Sequence, residues 1–236
     1  MSAAEHLVLF DVDGTLLRCG PQIGGIFVSA LVEVFGGYLR PDGYNFAGRT
    51  DPQIVLDLVA ALALPREDVL RRLPDMQRAY FHRLERELDR DRMELLPGVV
   101  PLLERLAARE DVALGLLTGN WHGSADIKLG RFDLGRFFPF GAFGDDAPVR
   151  RELVPIALER AAAAAGRPFT PAEVLIVGDS ELDVDCARAA GIRPVAVTTG
   201  FTSAARLRAA GADWVFPDLE HAAREIALFR EVVDHL

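Results

Sequence analysis

What most constrains the fold of this chain is that its strand-forming segments are short, unbroken apolar runs instead of alternating ones. HLVLF (6–10), VALGLL (112–117), VLIVG (174–178), PVAVTT (194–199) and DWVF (213–216) are of this kind, and PFGAFG (139–144) is a weaker sixth. Such runs suit strands that are covered on both faces. Helical stretches at 99–110, 124–134, 151–165, 183–191 and 203–211 separate most of them. Strands alternating with helices of this length imply right-handed crossovers. The predicted core is therefore α/β: a doubly wound, Rossmann-like parallel sheet with helices on both faces. Gly191 and Gly211 directly follow helical stretches, where a residue tolerating positive φ closes the last turn.

One interval breaks the rhythm. Residues 17–95 hold no convincing strand, but helices are predicted at 22–36, 52–62, 66–73 and 75–90. In the last of these, Met76, Tyr80, Leu84 and Leu88 recur every fourth residue, which marks one buried helix face. Roughly eighty residues is far too long for a crossover between adjacent strands. The sequence thus predicts a core made of residues 1–17 and 95–236, with a helical domain, residues 18–94, inserted after the first strand.

The residues with chemical potential stand where the apolar runs end. In LFDVDGTLL (9–17), Asp11 and Asp13 follow the first strand directly and are released from it by Gly14. Residues two apart on an extended backbone point the same way, so both carboxylates can face one pocket at the strand's C-terminal end. Two acids so close repel each other unless a cation or a shared proton offsets the charge, which favours a metal site. A solvated Asp-x-Asp-Gly turn would not explain why the arrangement recurs in VGDSELDVD (177–185), where Asp179 ends a strand and Asp183 enters the next helix. Capping of that helix by Asp179 or Ser180 is the competing reading, and Asp185 reads as a surface residue. The two clusters could meet at one cation, with Mg²⁺ the best match to all-oxygen ligands. In LGLLTGN (114–120), the Thr118 hydroxyl and the Gly119 and Asn120 N–H groups offer a site for a phosphate oxygen.

Taken together, these motifs resemble the haloacid dehalogenase superfamily of hydrolases, over most of the chain. The resemblance rests on D-x-D-G-T after strand one, Thr118 after strand two, G-D-S-x-x-D after the 174–177 strand, and the helical insertion behind the first motif. It implies that Asp11 is a nucleophile that becomes phosphorylated. Asp13 would protonate the leaving oxygen and then activate water. Mg²⁺ would be held by Asp11, Asp13 (through its backbone carbonyl), Asp179 and Asp183, and Thr118 would contact the transferring phosphoryl group. The family also uses a cation beside the nucleophile, customarily a lysine before the last motif. There this chain has Arg150 and Arg151, and its single lysine is Lys128, on the helix after the threonine motif. Lys128 is preferred for that place, since a compact ammonium suits a crowded phosphate pocket better than a planar fork.

The insertion resembles the family's cap. Its FAGRTDPQI loop (46–54) either projects Arg49 toward substrate or merely caps a helix through Thr50 or Asp51. The expected activity is a Mg²⁺-dependent phosphatase for a small phosphorylated metabolite, resembling the phosphoglycolate phosphatase group. A phosphomutase of the β-phosphoglucomutase type and a non-catalytic phospho-acceptor or binding protein are the alternatives. A carbon-attacking dehalogenase has no need of the metal cluster, and a lysine-free cap excludes a Schiff-base phosphonatase.

The net charge of −9 argues against an extended nucleic-acid surface. No apolar run reaches membrane-spanning length, and MSAAEHLVLF has no basic leader region. Two cysteines, Cys19 and Cys186, suit a reducing compartment, so a cytoplasmic protein is expected. Nothing in the sequence fixes its oligomeric state.

Overall fold

The computed structural model describes residues 4–37, 41 and 43–230; the remaining positions of the expected core and insertion (1–3, 38–40, 42 and 231–236) lie outside them. The strands are β1 (His6–Phe10), β2 (Leu17–Arg18), β3 (Glu94–Leu95), β4 (Val112–Leu117), β5 (Gly141–Ala142), β6 (Val174–Gly178), β7 (Arg193–Val197) and β8 (Trp214–Phe216). Six of them form one parallel sheet in the order β5-β4-β1-β6-β7-β8. Numbered by position in the chain, that is the 3-2-1-4-5-6 order of doubly wound folds, whose switch point lies between β1 and β6.

The unbroken apolar runs are explained by burial on both sides. Val8 and Phe10 of β1 enter one apolar cluster while Leu7 and Leu9 enter the other, and all four are fully buried. The first cluster is covered by α5 (Val99–Ala107), α6 (His122–Gly130), α10 (Leu219–Glu225) and α11 (Ala227–Arg230). The second is covered by α7 (Arg150–Ala165) and α8 (Glu181–Ala189). Helix α9 (Ala204–Ala210) packs Leu207 onto Ala196 of β7. Gly191 and Gly211 have φ of 70° and 99°, as their positions behind α8 and α9 require.

The interval between the first two long strands is helical, as predicted: α1 (Gln22–Phe35), α2 (Asp51–Val59), α3 (Arg66–Arg71) and α4 (Leu73–Glu87). Met76, Tyr80, Leu84 and Leu88 are all buried. This helical stretch leaves and rejoins the sheet through a two-stranded antiparallel ribbon, Leu17↔Leu95 and Arg18↔Glu94, which the sequence reading missed. Its buried side chains join the same apolar cluster as Val8 and Phe10. At that junction Phe27, Tyr80 and Trp121 gather, with the Phe27 and Trp121 rings stacked at 6.2 Å and Phe27 and Tyr80 edge-on at 4.9 Å. The expected strand at 139–144 shrinks to the two-residue edge strand β5, and the two C-terminal helices were not anticipated.

Candidate active site

The register of the three central strands brings their ends level. Phe10 is opposite both Leu116 and Val177, so Asp11, Thr118 and Asp179 emerge at one edge, within two residues of these paired positions. Behind β1 the backbone folds back at once: Leu16 and Leu17 donate to the Val12 carbonyl, and Gly14 donates to that of Leu17 at 2.8 Å. Gly14 sits at φ 84°, and a Cβ there would lie 2.6 Å from the Asp179 carboxylate. Glycine is thus required twice over, for the turn and for the approach of Asp179.

Asp11, Asp179 and Asp183 are buried, and each offers an oxygen within 4.8 Å of the others. Burial and the Asp183 and Asp11 charges push the Asp179 carboxyl up from its usual range. Asp183 is also raised, to about 6, by burial, with the Arg150 guanidinium acting against it. Its Oδ2 accepts from the Ser180 N–H (3.0 Å) and hydroxyl, closing a capping box at the start of α8. The capping role read from the sequence therefore falls to Ser180 and Asp183. Three buried carboxylates against one guanidinium leave excess negative charge among all-oxygen donors. That donor set fits a hard divalent cation.

Two of the three candidate cations reach this edge of the sheet, on different acids, and Arg150 instead of the preferred Lys128 stands beside Asp11. Arg150, from the first turn of α7, places Nη2 3.1 Å from Asp11 Oδ1, contacts Asp183 and donates to the carbonyls of Leu117 (2.9 Å) and Gly48 (3.0 Å). Its buried Nε has no partner among the described residues. The facing carboxylates hold its pKa above the usual arginine value despite burial. Lys128, from the last turn of α6, lies with Nζ 2.5 Å from Asp13 Oδ2 and also donates to Asn120 Oδ1. Burial alone would lower its pKa, but Asp13 together with Tyr80, Cys19 and Asp51 more than offsets this and keeps it an ammonium. Arg151 is on the surface, paired with Asp185, which is where the sequence put Asp185.

The Asp13 carboxylate stands apart from the three-acid cluster. Besides Lys128 it accepts from Asn120 Nδ2 (2.9 Å) and from the Cys19 thiol at 3.6 Å. Burial and the Asp13 charge push that thiol up to about 12, so it remains protonated. Thr118 Oγ1 accepts from Asn120 Nδ2 (2.8 Å) and from the Asn120 N–H (3.3 Å). The Asn120 backbone N–H and side-chain amide thus both engage Thr118, while Thr118, Gly119 and Asn120 all line the cavity. Gly119 permits the 49–50 backbone to pass: a Cβ there would lie 2.1 Å from the Arg49 carbonyl oxygen.

Thr50 caps α2, accepting from the Gln53 N–H at 3.2 Å, and Arg49 lines the cavity wall. Arg49 Nε donates to the Asn45 carbonyl (2.9 Å), Nη1 lies 3.6 Å from Asp57 Oδ2, and the guanidinium faces the Tyr44 ring. The sequence reading missed three groups. Thr15 donates to Asp179 Oδ1 at 3.3 Å, Cys19 touches Asp13, and Asp51 is buried, accepting from the Trp121 N–H (2.9 Å) and the Ser124 hydroxyl (3.1 Å). Only Thr15 carried a signal, as the last letter of D-x-D-G-T. All these acids and cations face, or stand behind, a cavity of about 690 Å³ between the strand ends and the helical insertion.

Comparison with known proteins gives matches over most of the chain. Residues 8–197 match the model of the haloacid dehalogenase-like hydrolase family. A phosphoglycolate phosphatase of Synechococcus elongatus is 30% identical over 213 residues, covering 88% of this chain and 91% of that protein. A haloacid dehalogenase-like hydrolase of Bacteroides fragilis superposes with a TM-score of 0.70 at 22% identity, over 92% of this chain and 99% of that one. A Bacteroides vulgatus chain described as a β-phosphoglucomutase gives 0.68 at 22% identity, over 97% and 90%, and shares the fold. No helix among the described residues is long and apolar enough to cross a membrane.

Proposed function

The chain belongs to the haloacid dehalogenase-like hydrolase family and is a phosphatase of it, and on that premise we propose that it hydrolyses a small phosphorylated metabolite through an Asp11 aspartyl-phosphate with Mg²⁺ as cofactor. The observation that carries this reading is the pairing of a buried carboxylate, Asp11, inside the three-acid cluster with a second, half-exposed carboxylate, Asp13, outside it. Asp11 is in a place to attack phosphorus while the exposed side of the Asp13 carboxylate can exchange protons.

Asp11, Asp179, Asp183 and the Asp13 carbonyl would hold Mg²⁺. When bound, the ion supplies charge neutralisation for the phosphoryl oxygens. In the first step an Asp11 oxygen bonds to phosphorus and the P–O ester bond breaks, with the proton on Asp13 passing to the departing alkoxide. In the second, Asp13 takes a proton from water, whose oxygen bonds to phosphorus as the Asp11–phosphorus bond breaks, releasing phosphate. Lys128 and Asn120 hold Asp13 Oδ2 and fix its direction; Arg150 does the same for Asp11 Oδ1. Thr118 is read as the hydroxyl contact to the phosphoryl group, with Gly119 and Asn120 shaping its turn.

Residues 18–94 are read as a cap over a core of 1–17 and 95–236, with Arg49 part of its substrate wall. The substrate is a small molecule and not a nucleic acid, given the net charge of −9. A cytoplasmic setting accords with two buried, free cysteines. Hydrolysis of p-nitrophenyl phosphate with Mg²⁺, abolished by EDTA and restored by added metal, is the expected result. Well-folded protein that releases no nitrophenol, or does so equally with EDTA, would contradict it.

A further inference from the structure

We propose that the cavity accepts phosphate monoesters of bulky, largely apolar alcohols in preference to short carboxylate-bearing esters such as 2-phosphoglycolate. The proposal rests on the phosphatase reading and names the substrate class of the same site.

The cavity has two chemically distinct ends. The strand ends contribute the acids and cations described above. The helical insertion contributes Ile23, Phe27, Tyr44, Phe46, Ile54 and Tyr80. At about 690 Å³ the space is far larger than a phosphoryl group with a two-carbon tail needs. A short polar ester would leave the apolar wall against water, whereas an apolar alcohol would cover it and remove that surface from water.

Among the described residues the wall also lacks a receptor for a second anion. Arg49 is committed to Asp57 and the Asn45 carbonyl, and Arg18 to Glu94 and the Thr199 carbonyl. Lys128 and Arg150 face Asp13, Asp11 and Asp183. Tyr44 donates its hydroxyl to Asp57 at 2.7 Å. A carboxylate on the substrate's alcohol would enter a partly desolvated space in which every lining cation among the described residues is already paired, and its lost hydration would go uncompensated.

Gly24 points the same way. It lies inside α1 on the cavity wall, and a Cβ there would meet no atom within 4 Å. The missing side chain there leaves open space for a ligand. At the same cavity Phe201 is 89% exposed, an aromatic ring free to lie over an apolar group.

The test compares 1-naphthyl phosphate with 2-phosphoglycolate as substrates of wild type and of Gly24→Leu, in Mg²⁺. In wild type, kcat/KM for the naphthyl ester should exceed that for phosphoglycolate by about tenfold or more; a ratio of one or below overturns the proposal. Leucine at 24 improves helix propensity and fills the wall, so it should pull that ratio down by about tenfold; an unchanged or increased ratio overturns it. Calorimetric binding of the two esters to Asp11→Asn separates the two readings. If wild type hydrolyses neither these esters nor p-nitrophenyl phosphate, the phosphatase reading fails, and tighter binding of the naphthyl ester still supports the cavity assignment. Equal or tighter binding of phosphoglycolate defeats that assignment whatever the turnover.

Discussion

Lys128 Nζ and Asp13 Oδ2 are 2.5 Å apart, and the pair is one-sided: the lysine side chain is 3% exposed and the aspartate 39%. The ammonium is the fixed partner and the carboxylate the accessible one. The one lysine in the chain is thus spent on aiming the acid that opens onto the cavity, while an arginine stands beside Asp11.

Replacing Lys128 with methionine keeps the stem and removes the charge. Turnover of p-nitrophenyl phosphate should fall by about 10²–10³, with the circular-dichroism spectrum and cooperative unfolding retained. Activity within a few-fold of wild type would remove Lys128 from the site.

Arg150 joins Asp11 and Asp183 to the Leu117 and Gly48 carbonyls in a buried setting. Arg150→Met leaves those acids without their cation, and breaking such a pair costs about 3–5 kcal/mol. Urea unfolding of the metal-free protein should show that loss at neutral pH, and added Mg²⁺ should recover part of it by binding the exposed carboxylates. A variant as stable as wild type without metal would contradict the pairing.

Gly14→Ala forces a Cβ into a left-handed position 2.6 Å from the Asp179 carboxylate. The expected effect is a Mg²⁺ requirement raised about tenfold or more, read from the metal titration of activity, at a stability cost of about 1–2 kcal/mol. An unchanged metal requirement would show that Asp179 tolerates displacement.

Asp51 is 7% exposed and burial raises its carboxyl from 3.8 to about 6, with Lys128 acting in the opposite direction. A carboxyl with a raised folded-state pKa binds its proton more tightly folded than unfolded. Stability is therefore lost as pH rises from about 4 through about 6, and the full cost, on the order of 3 kcal/mol, is present above that window. Asp51→Asn should match wild type near pH 4 and overtake it by pH 7 in urea titrations. A gap that does not change with pH would contradict this.

Much of this arrangement was legible in the sequence because it rests on local rules. Apolar runs that end in Asp11, Thr118 and Asp179 announce a strand and its polar terminus together, and the parallel register then aligns them. The two-residue strands Leu17–Arg18 and Glu94–Leu95 are too short to carry a period, so the ribbon they form was invisible. Arg150 and Arg151 are adjacent and chemically identical; only the helix's rotation sends one inward to Asp11 and the other outward to Asp185. Asp51 could pass for an ordinary helix-start acid, since its burial depends on Trp121 and Ser124 arriving from some seventy residues away. Lys128 stood out through composition, yet the acid it serves is set by the distance across the cavity, which no spacing rule conveys.

In the proposed mechanism Asp11 carries the phosphoryl group in transit. Asp13→Asn removes the base for the second step while leaving Asp11 intact, so the intermediate should accumulate. Asp13→Asn incubated with p-nitrophenyl phosphate and Mg²⁺, quenched in acid and analysed by intact-protein and peptide mass spectrometry, should gain one phosphoryl group, located on Asp11. A phosphoryl group on any other residue, or none on a variant that still releases a burst of nitrophenol, would contradict the account.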